Sequence, residues 1–495
     1  MLLIGGGLFA LSWLREGLGL PVLAVLATVT TWYIGDAFYN DYTNYHAKMF
    51  TPGVLAEAWL QVALFVATFL ILTPLVHRSL NGRYLARTST IRRLFFEGVS
   101  DGPFQLQIEK MFYGCVVVWL VLAVIAIFRL RDQIPYYFFP FLGEKADPWG
   151  RGRLGGGIDA LLSLAGYFQI FTATAFGLTA AVAKNPKVRM LALIGCAVTW
   201  PYFIFDRVRN IILAVVMPGI LAWSLLRVRG PWFKKAAILA VFFLVIQAWF
   251  AFVIANRSTG SIAAAVQDAD VSLKEASKEA HHEGLNMFEE LCWINSFLEQ
   301  GSYKPNWGAR YFAELANPIP RVLWPGKPMI GIDYAIARGQ GGGGEAGDGG
   351  VNATVSTGMI GQGVVNFGPW LGTMFAAFLM SLWAATLARL DLCGERLGYI
   401  PLYALGLIIT FNLGRDITFL TLYTFVFGAA LAWWLERRNK GAARKDGRKV
   451  LTPEIGSRQS EARKRPVKSA PFSVTAPKDE SQKTDHGSLP PASDC

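Results

Sequence analysis

The sequence predicts an all-α polytopic integral membrane protein with about eleven transmembrane helices, one large external helical and irregular loop between late helices, and a disordered cytoplasmic tail. Two observations carry this. The chain is 53% hydrophobic and 17% charged, with a mean hydropathy of +0.35, whereas soluble domains carry roughly a quarter charged residues. Apolar runs of helix length also recur along it, separated by short clusters of Lys and Arg.

Taken in order, Leu2–Leu14 and Gly17–Tyr33 flank Arg15 and Glu16 and read as a hairpin of two helices. No basic residue precedes the first run and no small-x-small site follows it, so no signal peptide is expected. Val54–Val76, Met111–Phe128, Ile158–Ala183, Val188–Phe205, the shorter Ile211–Leu226 and Ala236–Ala255 complete an N-terminal region, 1–255, of about eight helices. Residues 256–366 form the external domain. Phe367–Leu387, the shorter Tyr399–Leu413 and Ile417–Leu435 supply about three further helices in 367–435. Most of these runs approach the ~20 residues that cross hydrocarbon. The remainder, 436–495, is rich in Pro, Ser and Lys, has no apolar periodicity and reads as disordered.

The net charge of +12 does not indicate nucleic acid. The segment Arg437 to Cys495 holds 14 Lys and Arg against 7 Asp and Glu, contributing +7 and leaving +5 for the other 436 residues. Cysteines at 115, 196, 292, 393 and 495 show no CxxC and no zinc spacing, so neither a disulfide framework nor a metal site is expected.

Short basic loops resist translocation. Arg78 to Arg93, Lys184 to Arg189, Arg227 to Lys235 and the tail therefore mark the cytoplasmic side. Alternation then places three regions outside: the corner Arg207–Arg209, the segment Asn256–Asn366 and the turn Gly414–Asp416. Arginines against this rule cost energy unless they line a polar cavity, bind an anion, or snorkel to the interface. Two such corners on one face, Asp206-Arg207-Val208-Arg209-Asn210 and Asn412-Leu413-Gly414-Arg415-Asp416, point to a bound phosphate or diphosphate, which the guanidinium fork suits.

At 111 residues the external segment is far longer than a connection. Ile262–Gln300 alternates apolar and charged residues with helical spacing and reads as one or two amphipathic helices lying over the membrane surface. In the stretch Asn317 to Pro328, four prolines preset the backbone around Arg321, Trp324 and Lys327. It reads equally as a binding element or as a turn anchored at headgroup level. The glycine-rich run 339–350 suits a mobile lid or a plain linker and matches no nucleotide-binding pattern. His281 or His282, which read equally as part of a solvated helix face, with Glu289, Glu290, Asp333 and Asp348, are the external acid–base candidates, and His46 lies in the first external loop. Adjacent His281 and His282 face different sides of a helix, which argues against a shared metal.

Several of these features, in this order, resemble the O-antigen polymerase (Wzy-type) family: Asp206-Arg207-Val208-Arg209-Asn210, NPIPRVLWPGKP at 317–328, STGMIGQGVVNFGPWLG at 356–372, and GRDITF at 414–419 before a final helix. They span Val198 to Trp434, roughly half of the chain, and either Arg207 or Arg209 would occupy the family's arginine position. The resemblance implies a metal-independent membrane glycosyltransferase with no cofactor. It would elongate polysaccharide from repeat units carried on undecaprenyl diphosphate, at the outer face of the bacterial inner membrane. Its partners would be that lipid-linked oligosaccharide as donor and acceptor, the bilayer, and a chain-length regulator and flippase of the same pathway, without nucleic acid. Arg207, Arg209 and Arg415 would stabilise the departing diphosphate, with Glu290 or His282 as base. Arg321, Lys327, Trp324, Asp416 and Asn366 would bind substrate, and Trp293, Trp307 and Trp324 are available to stack on sugars. Ligase-type transfer of finished glycan to lipid A core or protein uses the same donor. A transporter or flippase of a lipid-linked sugar is the alternative of another class.

Overall fold

The computed structural model describes residues 2–13, 16–85, 87–96, 103–142, 146–149, 164–205, 209–255, 286–316, 319, 323–328, 331–339 and 355–445. The chain divides into two units, Met1–Arg438 and Asn439–Cys495; everything below concerns the first. Among the described residues the structure is helical and contains no strand.

The helices are α1 (Leu2–Ser12), α2 (Gly19–Val29), α3 (Gly35–Tyr39), α4 (His46–Met49), α5 (Pro52–Asn81), α6 (Thr90–Phe96), α7 (Pro103–Leu130), α8 (Ile134–Phe138), α9 (Ala165–Val182), α10 (Pro186–Ile204), α11 (Arg209–Leu226) and α12 (Trp232–Ala255). The external segment contributes α13 (Met287–Glu299), α14 (Ala309–Ala316) and α15 (Ile332–Ala337), before α16 (Gly358–Phe367), α17 (Pro369–Leu392), α18 (Tyr399–Leu413) and α19 (Phe419–Lys445). A π-helical turn, Thr30–Ile34, joins α2 to α3. Among the described residues, seven helical stretches are long and apolar enough to cross a membrane: 19–39, 52–84, 104–138, 165–182, 186–204, 233–250 and 369–392. Three apolar helices, 3–12, 211–226 and 399–413, are shorter. Each apolar run in the sequence overlaps a helix, but fewer have spanning length than the eleven expected. The last helix starts at Phe419 rather than Ile417 and continues into charged residues as far as Lys445.

Local chemistry sets the boundaries. Thr51 is extended and its Oγ1 accepts the Val54 N–H at 3.4 Å ahead of Pro52, so α5 begins with a side-chain cap and a proline whose missing N–H costs nothing there. Asn185 and Pro186 start α10 in the same way, with the Lys187 N–H donating to Asn185 Oδ1. The run expected to begin at Phe367 is split: Phe367 closes α16, Gly368 takes φ 83°, and Pro369 opens α17.

Packing forms two groups of helices. In one, α5 lies along α17, where the Thr73 hydroxyl reaches Ser381 Oγ at 3.0 Å and Asn81 Nδ2 donates to the Ala385 carbonyl at 2.8 Å. In the other, α9 is wedged between α7, α10 and α11. A side chain at Gly219 would sit 2.9 Å from the Gly177 Cα, so α9 and α11 approach backbone to backbone.

The largest departure from the sequence reading is α13. Met287, Phe288, Leu291, Cys292 and Ile294 are fully buried, and the helix is enclosed by α3, α5, α16 and the π turn instead of lying over a surface. Residues 256–285, which hold the rest of the expected amphipathic segment, lie outside the described residues.

Candidate functional site

The corner between α18 and α19 is built by close approach. Trp32 Nε1 donates to the Phe411 carbonyl at 2.7 Å, and a Cβ at Gly414 would collide with Thr28 and Trp32, so only glycine lets the chain turn against α2. Gln362 of α16 then pins the chain beyond the corner. Its Oε1 accepts the Ile417 N–H at 2.7 Å and its Nε2 donates to the Ile417 carbonyl at 3.1 Å.

Between these anchors the two charges diverge. Asp416 Oδ1 accepts the N–H and the hydroxyl of Thr357, each at 3.1 Å, and Nη2 of the buried Arg310 at 3.5 Å. Arg415 stays exposed, with its Nε donating to Ser356 Oγ at 2.8 Å. A carboxylate bound inward therefore fixes the corner, and a cation is left at the surface. Arg310 is 3% exposed. A Cβ at Gly331 would stand 3.2 Å from its guanidinium carbon, and its Nη2 also reaches the Val355 carbonyl at 3.4 Å.

A second set of charges lies on α13 and α15. Arg338 stacks on the Trp293 ring, 4.4 Å from its centroid, and bridges Glu290 Oε1 at 3.2 Å and Glu289 Oε1 at 3.6 Å. The Tyr334 hydroxyl donates to Glu290 Oε2 at 2.6 Å, and Tyr45 Oη and Trp293 Nε1 donate to Glu289 Oε1. Burial lifts the Glu290 carboxyl above its ordinary range, with the Arg338 and Tyr334 hydrogen bonds opposing it. Beneath them Asp36 Oδ2 accepts the N–H groups of Phe288 and Glu289, at 2.8 and 3.0 Å. This places a carboxylate at the positive end of α13. His46 Nε2 stands 3.9 Å from Asp36 Oδ1. Asp333 accepts from Tyr303 Oη at 2.6 Å and Asn306 Nδ2 at 3.0 Å. Burial works to raise its carboxyl, but these hydrogen bonds outweigh it and hold the group below the ordinary range. The Arg310 guanidinium lies beside Gly331, the residue that precedes α15, and so stands between this network and the corner.

The structure thus brings Arg415, Asp416 and the start of α16 together, with Glu290 in the neighbouring network. Both Glu290 oxygens are engaged by Arg338 and Tyr334, which leaves the carboxylate poorly placed as a base. Asn366 is not at a surface. It is fully buried, its Nδ2 donates to the Gln362 carbonyl at 2.7 Å, and its Oδ1 accepts the Tyr311 N–H, so it ties α16 to α14. Asp416 is likewise a structural anchor. Lys327 Nζ donates to the Ile319 carbonyl at 2.9 Å, and Trp324 packs edge-on against Phe312 of α14. Trp293 is covered by Arg338, Phe50 and Phe297, whereas Trp307 is 77% exposed. Arg207, His282 and Arg321, with Asp348 and most of the glycine-rich run, lie outside the described residues; Arg209 starts α11, and its side chain is also outside them.

Arg310, Arg338, Asp36 and Gln362 were not singled out from sequence. Their partners Asp416, Glu290, Glu289 and Ile417 are 48 to 253 residues away, and the one local signal was the charge of Asp36 within an apolar helical run. Compared with protein-family models, with curated proteins and with solved structures, the chain gives no match.

Proposed function

We propose that this chain is a membrane glycosyltransferase that polymerises undecaprenyl-diphosphate-linked oligosaccharide repeat units at the outer face of a bacterial inner membrane. The observation that carries the reading is the Gly414-Arg415-Asp416 corner. There a buried anchor, Asp416 on Thr357 and Arg310, leaves an exposed guanidinium held by Ser356.

In the proposed reaction a hydroxyl of the acceptor sugar attacks the donor's anomeric carbon. The bond from that carbon to the diphosphate oxygen breaks, the hydroxyl proton passes to a base, and the lipid diphosphate leaves with the bonding pair. A preorganised arginine at the oxygens where charge grows favours the transition state over the ground state. Arg415 takes that role, supported by Arg207 or Arg209 from the other corner and by Arg321 and Lys327. The network of Glu289, Glu290 and Arg338 holds the wall beside the corner, and His282 is the proposed base. Lipid-linked donor and acceptor, the bilayer, a chain-length regulator and a flippase are the proposed partners, with the basic tail cytoplasmic.

The test is incubation of the purified protein with a lipid-diphosphate-linked oligosaccharide. A ladder of products is expected, with loss of about a hundredfold or more in Arg415→Ala, the size seen when one transition-state donor is removed. A single transfer to lipid A core or protein would indicate the ligase-type reaction. The buried carboxyl groups of Asp36, Glu289 and Glu290, with the half-buried Arg338 bridging the two glutamates, favour a second reading, ion-coupled transport of a lipid-linked sugar. That reading predicts uptake in reconstituted vesicles and no product.

A further inference from the structure

The ends of α5 and α17 carry cations that the corner does not use. The two helices run side by side in one direction, since Thr73 meets Ser381 and Asn81 meets the Ala385 carbonyl, so their C-terminal ends lie together. α5 closes at Asn81, and a 3₁₀ turn, Gly82–Tyr84, follows. The Arg87 N–H donates to the Tyr84 carbonyl at 2.9 Å, and this fold of the chain brings the Arg87 guanidinium over the Tyr84 ring, 5.4 Å from its centroid. Arg389, in the last turn of α17, stands 5.4 Å from the centroid of the same ring. Arg87 Nη1 also reaches Cys393 Sγ at 3.7 Å. Cys393 follows Arg389 by four residues and shares its face of the helix. One tyrosine thus gathers two guanidinium groups from separate segments.

Like charges gathered in this way repel, and no acid relieves them. Among the described residues neither Arg87 nor Arg389 is paired with a carboxylate. The acids nearest to Arg389 in the chain are engaged elsewhere. Glu395 bridges Arg93 at 2.8 Å, and Asp391, 1% exposed, accepts from Ser89 Oγ at 2.5 Å and from the Ile91 N–H at 2.8 Å. A guanidinium stacked on a ring uses its face there and keeps the N–H groups of its edge for an acceptor, in the fork that fits phosphate oxygens. Arg389 is exposed and Arg87 half-exposed, so a ligand can reach those edges. The bias of short loops toward basic residues accounts for arginines at this end of the helices. It does not account for two of them on one ring while the neighbouring glutamate serves a third.

We propose that Arg87 and Arg389, positioned by Tyr84, form a binding site for a phosphate group at the membrane surface. Arg389 lies near the end of the membrane-length stretch 369–392, the level at which headgroups meet a spanning helix. The phosphate of an anionic lipid and that of a soluble compound offer the same oxygens, and competition separates the two sources. The assignment does not depend on the glycosyl-transfer reading, since it concerns other residues and is read by binding alone.

The experiment uses the full-length protein in uncharged detergent, titrated with phosphatidylglycerol and read by native mass spectrometry, and titrated with inorganic phosphate and read by calorimetry. Arg87→Gln with Arg389→Gln is expected to weaken binding about 30-fold, from the contribution of two basic groups near a membrane surface. Arg78→Gln with Arg83→Gln removes the same charge close by and is expected to have a far smaller effect. Tyr84→Phe keeps the ring and should bind as the unaltered protein does, whereas Tyr84→Leu keeps both arginines and should still weaken binding. Displacement of the lipid by inorganic phosphate assigns the site to a soluble phosphate compound, and its failure assigns the site to the headgroup. Equal losses in the two arginine pairs would reduce the site to surface charge and overturn the proposal. Undiminished binding in Arg87→Gln with Arg389→Gln or in Tyr84→Leu, or no binding of either probe by the unaltered protein, would overturn it as well. Retention of the wild-type thermal midpoint in each variant separates loss of the site from loss of the fold.

Discussion

At the level of single residues the corner separates two jobs that look alike in sequence. Arg415 is exposed and makes one side-chain hydrogen bond to Ser356, so Arg415→Ala should leave stability within about 0.5 kcal/mol, as for other surface changes, while abolishing polymer. Asp416→Ala should instead destabilise the detergent-solubilised protein by about 3 kcal/mol, because it strands the buried Arg310 without its carboxylate. Comparing product formation with unfolding midpoints for the two variants checks both statements. Glu290 carries a pH prediction. Its folded-state pKa is raised above the ordinary 4.5, so between that value and the raised one the native state holds more proton than the unfolded chain. Its contribution to stability is then complete below pH 4.5 and is lost as pH rises through the raised pKa. Glu290→Gln should flatten that decline in stability against pH, and an unchanged slope would show that another group causes it.

At the level of elements, hydropathy found the helices because burying a helix in hydrocarbon requires only a long apolar run. It could not find the break at Gly368, where Phe367 and Pro369 are both apolar and the signal is a backbone conformation. α16 and α17 fold back on each other so tightly that a Cβ at Gly372 would collide with the Gly363 carbonyl. Gly372→Ala should therefore cost about 1–3 kcal/mol or more through overpacking, read as a lower midpoint and reduced yield of monodisperse protein, whereas Gly326→Ala, with open space around it, should be silent. The burial of α13 was hidden for a different reason. Its acids, Glu289 and Glu290, read as candidate bases on an amphipathic segment over the membrane surface, and only the arrival of Arg338, Tyr334 and Asp36 from distant segments makes their burial affordable. Arg415 and Asp416 were legible because tight charged corners between apolar helices are unusual in a short window. Arg310 was not, since nothing in ARYFAELA distinguishes a buried arginine from a surface one.

For the whole molecule the open quantity is which end of the helices faces which compartment. The cysteines at 115, 196, 292 and 393 are buried, so single cysteines added at exposed sites report cleanly once Cys495 is replaced by serine. Trp307→Cys should react with a membrane-impermeant maleimide in intact spheroplasts, and Arg229→Cys only after lysis; the reverse pattern would invert the proposed topology.

The carboxylate of Asp36 sets a condition on how such a chain is made. It is fully buried, and the amides that receive it belong to Phe288 and Glu289, some 250 residues later. During synthesis the first helices can supply only Asn40, which donates to Asp36 Oδ1, and the other carboxylate oxygen lacks its two amides until α13 emerges and docks. A chain stopped before Asn286 should be cleared rapidly in a pulse-chase experiment, and Asp36→Asn, which removes the waiting charge, should lengthen its lifetime.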